Sequence, residues 1–304
     1  MIIVYCFIGP LPNYAIDTVH QTRLFYDGPI YFIISDHTSQ YIPILQKYNV
    51  TMIPYEDVIS SEFNETVHAN NNKFEILTGL TGREKLFIYG FERFFSLQKL
   101  MDAHHLSNVL FLELDNLIYD DPRKWETPLK DISFMFDHYD RCASGIFYIK
   151  NKDTLHTLNN FFLEYINGSY QYMTEMNALH VFWNNHKDIV QILPTMWPVM
   201  WPSEIPVVTY ENFYTFNTIF DAAAIGIYLG GIDPYHTHGV IVKGEKWSAS
   251  LIDYTVYMHK WELDTQGRNI PYIFNKISNE WTRVNNLHIH SKKLDDCLSK
   301  PRRS

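Results

Sequence analysis

Apolar runs and amphipathic stretches alternate along the first half of the chain. Short β-branched and aromatic runs predict strands at residues 2–7, 31–34 and 50–53. Between them, residues 14–26 and 42–48 carry apolar positions at helical spacing, which predicts helices. Because strands that alternate with helices form largely parallel sheets, the pattern predicts an α/β fold. It is Rossmann-like, with helices on both faces of a mostly parallel central sheet.

The alternation continues beyond a polar stretch. Residues 60–73 contain three consecutive asparagines and predict a loop. The elements after it are predicted as a helix over residues 85–104, strands over 108–112, 132–136 and 145–149, and a helix over 153–166. No Gly- or Ser-rich linker divides the 304 residues. We therefore expect a single domain over residues 1–304.

Ligands in sheets of this kind lie beyond the carboxyl ends of the strands. Gly9 follows the first predicted strand and Asp36 follows the second. The two residues therefore indicate a shared crevice for a nucleotide.

The composition limits the classes of ligand that the protein can bind. Lys and Arg number 25 against 34 Asp and Glu, so the formal net charge is −9. An acidic chain without a basic stripe is a poor candidate for nucleic-acid binding. A phosphate ligand would need a local site in which a metal cation supplies the charge. The 20 Phe, 21 Tyr and 7 Trp either fill the core or line a sugar site.

Targeting signals are not evident in the sequence. No stretch reaches the roughly 18 apolar residues of a membrane span, and the apolar start reads as a strand because no basic region precedes it. The 3 Cys are far apart, which suits a reducing compartment. We expect a cytoplasmic protein, in the host cytoplasm if the source is viral.

Two carboxylates, Glu113 and Asp115, follow the apolar run Val109–Leu112. Residues two apart share one face of an extended chain, so both can converge on one cation. Oxygen ligands of this kind select Mg²⁺ or Mn²⁺. The alternative is a pair of solvated carboxylates at a strand end.

A second candidate constellation lies near the C-terminus. His288 and His290 share one side of an extended segment, and Lys292 continues that side. A histidine can supply a metal ligand, and a lysine two residues on can hold a diphosphate oxygen. A polar tail with incidental histidines is the alternative, since the chain has 14 His.

Together, the two constellations resemble GT-A glycosyltransferases, which are metal-dependent enzymes that use nucleotide sugars. Glu113-Leu114-Asp115 resembles a Glu-x-Asp variant of their DxD motif, and His288–Lys292 resembles the C-terminal His-x-His-Ser-Lys segment that completes the metal site. Further strings match a branch found in bacteria and large viruses: Gln21–Phe25, Glu92–Phe95, Ser144–Phe147 and Phe220–Pro234.

The resemblance implies a role for each matched position. Asp115 and His290 (or His288) would bind Mn²⁺ or Mg²⁺ together with Glu113, which stands where the usual motif has Asp. Lys292 would neutralise the departing diphosphate. Gly9, Asp36 and Arg93 would bind the nucleoside half of the donor; the alternative for Arg93 is a buried helix arginine that pairs a core carboxylate.

Two acids are candidates for catalysis. Asp221 begins the small-residue segment 221–226, where it either caps a helix or acts in catalysis. Glu175 is the second candidate. One of them would be the general base of an inverting enzyme or would stabilise the transition state of a retaining one.

The resemblance also implies a division of labour. Residues 1–120 would bind the nucleotide sugar, 121–286 the acceptor, and 287–304 would return to the metal site as a tail whose removal spares most of the core. The expected reaction transfers a sugar from a UDP-linked donor to a hydroxyl of a glycan, protein or lipid-linked acceptor. A metal-dependent nucleotidyltransferase or phosphohydrolase and a non-catalytic carbohydrate-binding protein are the alternatives.

Overall fold

The structure is a computed structural model that describes residues 1–75, 85–170, 173–198, 207–231, 258–276 and 278–302. Its centre is a seven-stranded sheet with the order β3-β2-β1-β4-β7-β6-β8. The strands are β1 (Ile2–Phe7), β2 (Ile30–Ile34), β3 (Val50–Pro54), β4 (Val109–Leu112), β6 (Ile132–His138), β7 (Arg141–Ile149) and β8 (Val190–Leu193). The short strand β5 (Asn116–Ile118) lies outside this sheet.

The directions of these strands confirm the predicted sheet. β1 pairs in parallel with β2 and β4, and β2 pairs in parallel with β3. β7 is antiparallel to both β4 and β6, and β8 is parallel to β6. Six of the seven strands therefore run in one direction, and their carboxyl ends lie along one edge.

Helices cover both faces of the sheet, as predicted. They are α1 (Ala15–Phe25), α2 (Ile42–Gln46), α3 (Ser61–Ala69), α4 (Asn71–Glu75), α5 (Leu86–His104), α6 (Lys152–Asn167), α7 (Glu175–Asn185), α8 (Phe213–Phe216) and α9 (Ala224–Gly230). Short 3₁₀ turns occur at Tyr55–Val58, Pro122–Trp125, Val207–Thr209 and Leu294–Cys297. One core lies between the sheet and α3, α5, α6 and α7, and a second lies between the sheet and α1 and α2. Within the described ranges, no helix combines the length and apolar character that crossing a membrane requires.

The prediction of a loop over residues 60–73 is wrong, because this segment forms α3 and the start of α4. The Ser60 side chain accepts a hydrogen bond from the Phe63 N–H at 3.3 Å and so caps α3. Phe63 and Phe74 are buried against the first core while most of the intervening residues face solvent. Because the segment has so few apolar positions, its sequence resembles that of a polar loop.

The C-terminal segment forms part of a third core. Its strand β12 (Asn286–His288) pairs antiparallel with β5, which directly follows the predicted metal-binding segment. Three more strands, β9 (His259–Leu263), β10 (Asn269–Asn275) and β11 (Glu280–Arg283), form a separate sheet beside it. This pairing brings the C-terminal segment beside the strand that follows residues 113–115. The division of the chain into donor and acceptor halves stays a prediction.

Candidate functional site

A cavity of about 850 Å³ opens at the carboxyl edge of the sheet. It has the size of sites that hold small ligands and cofactors. Its walls come from the ends of β1, β4 and β6, the first turns of α5 and α7, and the segment after β12. The predicted residues that line it are Gly9, Arg93, Glu113, Asp115, Glu175, His288, His290 and Lys292.

Three side chains converge inside this cavity. Glu113, Asp115 and His288 each offer one ligand atom, and these atoms lie within 4.8 Å of one another. The Nε2 atom of His288 is 3.0 Å from Oε2 of Glu113 and 3.3 Å from Oδ1 of Asp115. The carboxylates come from the turn after β4, and the imidazole comes from the last residue of β12.

The imidazole orientation is fixed by the protein. Nδ1 of His288 lies 2.7 Å from the carbonyl oxygen of Ala222. Because a carbonyl can only accept, Nδ1 carries a hydrogen, and the ring therefore turns Nε2 toward the two carboxylates. Once Nε2 gives up its proton, its lone pair can bind a metal. A histidine that binds a metal is usually held in this way, with its other nitrogen on a backbone carbonyl or carboxylate.

Each carboxylate also contacts a cation through its second oxygen. Oε1 of Glu113 is paired with Arg93, and Oδ2 of Asp115 is paired with Lys292. The oxygens Oε2 and Oδ1 are thus left facing His288. Two carboxylate oxygens and one imidazole nitrogen form a donor set that suits Mn²⁺ or Mg²⁺, so the side chains fit the implied ion.

The charges of this cluster depend on one another. Burial favours neutral carboxyls, but Arg93 together with His288 outweighs it and lowers the pKa of Glu113. Lys292 with His288 likewise lowers the pKa of Asp115 well below its ordinary value. Burial also opposes a charged His288, yet Asp115 and Glu113 raise the pKa of its ring well above the ordinary value. Both carboxyls therefore stay ionised at neutral pH.

His290 lies next to this cluster. Its ring centroid is 4.4 Å from that of His288. Burial and the positive charge of His288 lower the pKa of His290 to about 3, so this ring is neutral. Of the two histidines left open by the sequence, His288 is the one that the structure brings to both carboxylates.

Arg93 lies between two acids. Its guanidinium pairs with Glu113 and, at 3.1 Å, with Oε1 of Glu175. The alternative of a buried arginine that pairs carboxylates therefore agrees with the structure, although Arg93 also lines the cavity. Glu175 begins α7 close to Gly90, where an added Cβ would lie 2.4 Å from its Oε2. Burial raises the pKa of Glu175, and Arg93 only partly offsets this.

Gly9 and Asp36 hold the loop after β1. The N–H of Gly9, at φ 124°, donates to Oγ of Ser35 at 2.8 Å. The carboxylate of Asp36 accepts from the N–H of Leu11 at 3.1 Å and from Thr38. Gly9 lines the cavity, whereas Asp36 shapes the loop beside it.

Asp221 lies behind the cavity wall. It is 2% exposed, and its oxygens accept from the N–H groups of Ile225 at 2.9 Å and Gly226 at 2.7 Å. This geometry corresponds to the capping alternative. Residues 232–234, which end the string that begins at Phe220, lie outside the described residues.

Sequence reasoning missed one acid of the cavity wall. Asp137 is 5% exposed, lines the cavity and pairs with Arg141 at 2.9 Å. It follows the apolar run 132–136 just as Glu113 follows β4. The same signal, an apolar run that ends in a carboxylate, could have identified it.

Comparisons with known proteins give a likeness of structure only. No protein-family model matches this chain. No curated protein matches it either. Among solved structures, mouse xyloside xylosyltransferase 1 in its apo form is 10% identical with a TM-score of 0.43, and the match covers 72% of this chain and 93% of that one.

Two further structures extend the comparison. The apo form of the glycosyltransferase GlyE of Streptococcus pneumoniae is 14% identical with a TM-score of 0.41, over 63% of this chain and 44% of that one. A cytidylyltransferase from Leptospira borgpetersenii is 7% identical with a TM-score of 0.37, over 66% and 76%. At these identities and TM-scores the likeness specifies neither the activity nor the substrate of this chain.

Proposed function

We propose that this chain is a metal-dependent glycosyltransferase of the GT-A type that uses a nucleoside-diphosphate sugar, with UDP-sugars as its donors. The observation that carries the proposal is the convergence of Glu113, Asp115 and His288 in a cavity of about 850 Å³. Two carboxylates and one imidazole at the carboxyl edge of a parallel sheet suit an ion that bridges the protein and a diphosphate.

In the proposed site, Glu113, Asp115 and His288 hold Mn²⁺ or Mg²⁺. Such an ion stabilises the negative charge that develops on a departing diphosphate. Lys292 is suited to the same task. Lys292 adopts φ 63° in a turn in which its backbone N–H donates to the carbonyl of Ile289 at 3.1 Å. Its ammonium group pairs with Asp115 at the cavity wall.

The remaining walls suggest where the two halves of the donor lie. The apolar side of the cavity, from Phe7 to Pro10 with Tyr14, is placed to accept the nucleoside, next to the predicted Gly9. The lining also carries Asp137, Glu175 and Ser144, whose polar groups suit sugar hydroxyls.

Glu175 is the better of the two proposed catalytic acids. It lines the cavity, whereas the oxygens of Asp221 are turned to backbone N–H groups. The ion pair with Arg93 orients the Glu175 carboxylate, and from this position it can accept a proton from an acceptor hydroxyl or stabilise positive charge on the sugar. The choice between these roles is the choice between an inverting and a retaining reaction.

A donor screen tests the proposal. We expect a UDP-sugar to raise the melting temperature with Mn²⁺ present and to have little effect in EDTA. A ligand at 100 times its Kd stabilises a protein by about 2.7 kcal/mol. Donors that stabilise the protein are then incubated with hydroxyl acceptors, and we expect release of UDP with transfer of the sugar.

The same screen separates the alternatives. Release of pyrophosphate from a nucleoside triphosphate and a sugar phosphate would instead identify a nucleotidyltransferase. Binding of a glycan without nucleotide or metal would identify a carbohydrate-binding protein. Either result, with no effect of nucleotide sugars, would contradict the proposed function.

A further inference from the structure

We propose that Asp221 is a positioning residue that holds His288 in its metal-binding orientation; this inference rests on the metal site of the proposed function. The N–H of His288 donates to Oδ2 of Asp221 at 3.0 Å. The same oxygen accepts from Gly226, and Oδ1 accepts from Ile225. One buried carboxylate therefore joins the first turn of α9 to the main chain of His288.

The next residue holds the side chain of the same histidine. The carbonyl of Ala222 accepts from Nδ1 of His288 at 2.7 Å. Main chain and imidazole of His288 are thus anchored by two consecutive residues. Rotation of the ring away from Glu113 and Asp115 would break the Ala222 bond, and displacement of the strand would break the Asp221 bond.

A third contact keeps the strand in register. The N–H of Asp221 donates to Oδ1 of Asn286 at 2.9 Å, and Nδ2 of Asn286 donates to the carbonyl of Asp221 at 2.8 Å. This pair of bonds aligns Asp221 with β12 two residues before His288. It also leaves the Asp221 side chain opposite the His288 N–H.

Glycines allow the histidine to fit between two segments. A Cβ on Gly226 would lie 2.1 Å from the carbonyl oxygen of His288, and a Cβ on Gly145 would lie 3.1 Å from its Nδ1. Main chain therefore packs closely on both sides of His288. The close packing limits the movement of the residue, and the bonds to Asp221 and Ala222 set its position within that space.

Helix capping alone does not account for this arrangement. Capping requires only the bonds from Ile225 and Gly226, which lie in the first turn of α9. The bond to His288 reaches a strand 67 residues further along the chain. This bond gives the buried Asp221 carboxylate a third backbone donor and connects it to His288, a proposed metal ligand.

The test compares Mn²⁺ affinity in full-length wild type and in Asp221→Asn, measured by calorimetry without nucleotide. Asparagine keeps the size of Asp221 but has one carbonyl oxygen, and its NH₂ group would face a backbone N–H. We expect Mn²⁺ to bind about 10–100-fold more weakly, the usual loss when a group that orients a metal ligand is changed.

The matched control is Asn151→Ala. Asn151 caps α6 through a bond from the Thr154 N–H at 3.0 Å, and it does not line the cavity. We expect this variant to melt at a lower temperature and to bind Mn²⁺ like the wild type. Asp221→Ser is a second test variant, because serine stays polar but its hydroxyl is too short to reach the N–H of His288.

The outcomes are distinguishable. A folded Asp221→Asn or Asp221→Ser protein with wild-type Mn²⁺ affinity would overturn this inference and leave the proposed function intact. A wild-type chain that binds no Mn²⁺ would contradict the metal site and the inference together. Failure of both variants to fold would assign Asp221 to the stability of the fold and would also overturn a specific positioning role.

Discussion

Asp115→Asn is expected to lower kcat/KM for sugar transfer at least about 1000-fold, which corresponds to roughly 4 kcal/mol of lost transition-state stabilisation. Oδ1 of Asp115 is one of the three converging ligand atoms, and its second oxygen is paired with Lys292. The amide keeps the size of the side chain but removes its charge. Steady-state assays with the best donor from the screen measure the effect.

The fold is expected to survive this change. The Lys292 side chain is 39% exposed and can turn to solvent, and His288 can release its proton once one of its two carboxylate neighbours is gone. The alternative of a solvated carboxylate at a strand end does not describe Asp115, which is only 7% exposed. A large loss of stability in Asp115→Asn would therefore indicate a structural role.

Asp131→Asn is the matched control. Asp131 pairs with Lys150 at 3.0 Å on the surface and lies just before β6, away from the carboxyl edge of the sheet. Surface pairs of this kind contribute about 0–1 kcal/mol. We expect wild-type turnover from the control. Wild-type turnover from Asp115→Asn as well would exclude Asp115 as a metal ligand.

Deletion of residues 287–304 is expected to prevent cooperative folding of the chain. Leu287, Ile289 and Leu294 are each 0% exposed and belong to the third core. Burial of one such side chain contributes about 1.5–3 kcal/mol. The loss of three approaches the whole stability of a typical domain, about 5–15 kcal/mol. The burial of these side chains therefore argues against the expectation that the tail can be removed without harm to the core.

Circular dichroism during thermal unfolding measures this effect. A chain that ends at Lys300 serves as the control, because it keeps the buried residues Leu294, Cys297 and Ser299. We expect a cooperative transition from the control and none from the chain that ends at Asn286. A sharp transition near the wild-type temperature in the shorter chain would show that the tail contributes little to the fold.

The sheet could be predicted from the sequence because its signals are local. β1 to β4 are short, largely apolar runs that are followed within two residues by Gly, Asp or Glu, and α5 repeats aromatic residues at helical spacing. The error at residues 60–73 has a local cause too, since the buried apolar side chains of these two short helices are Phe63 and Phe74, with Val67 half-buried beside them. β7 begins at Arg141, four residues before the predicted start, because Cys142 and Ala143 already pair with β6.

The site could be predicted only in part. Glu113 and Asp115 carry a local signal, whereas their link to His288 depends on the pairing of β12 with β5. Arg93 and Glu175 carry no local signal in the sequence, and their ion pair forms because α5 packs against α7. No spacing along the chain reports such contacts. The resemblance to a family implied a role for Arg93, and Glu175 was predicted only as a candidate acid.

The central claim is a metal ion that joins Glu113, Asp115 and His288 to the diphosphate of the donor. Calorimetry of UDP binding with Mn²⁺ and with EDTA tests it most directly. We expect UDP to bind at least about 10-fold more tightly with Mn²⁺, a difference of about 1.4 kcal/mol or more, and we expect Asp115→Asn to remove that difference. Equal affinity of the wild type for UDP in Mn²⁺ and in EDTA would contradict the claim.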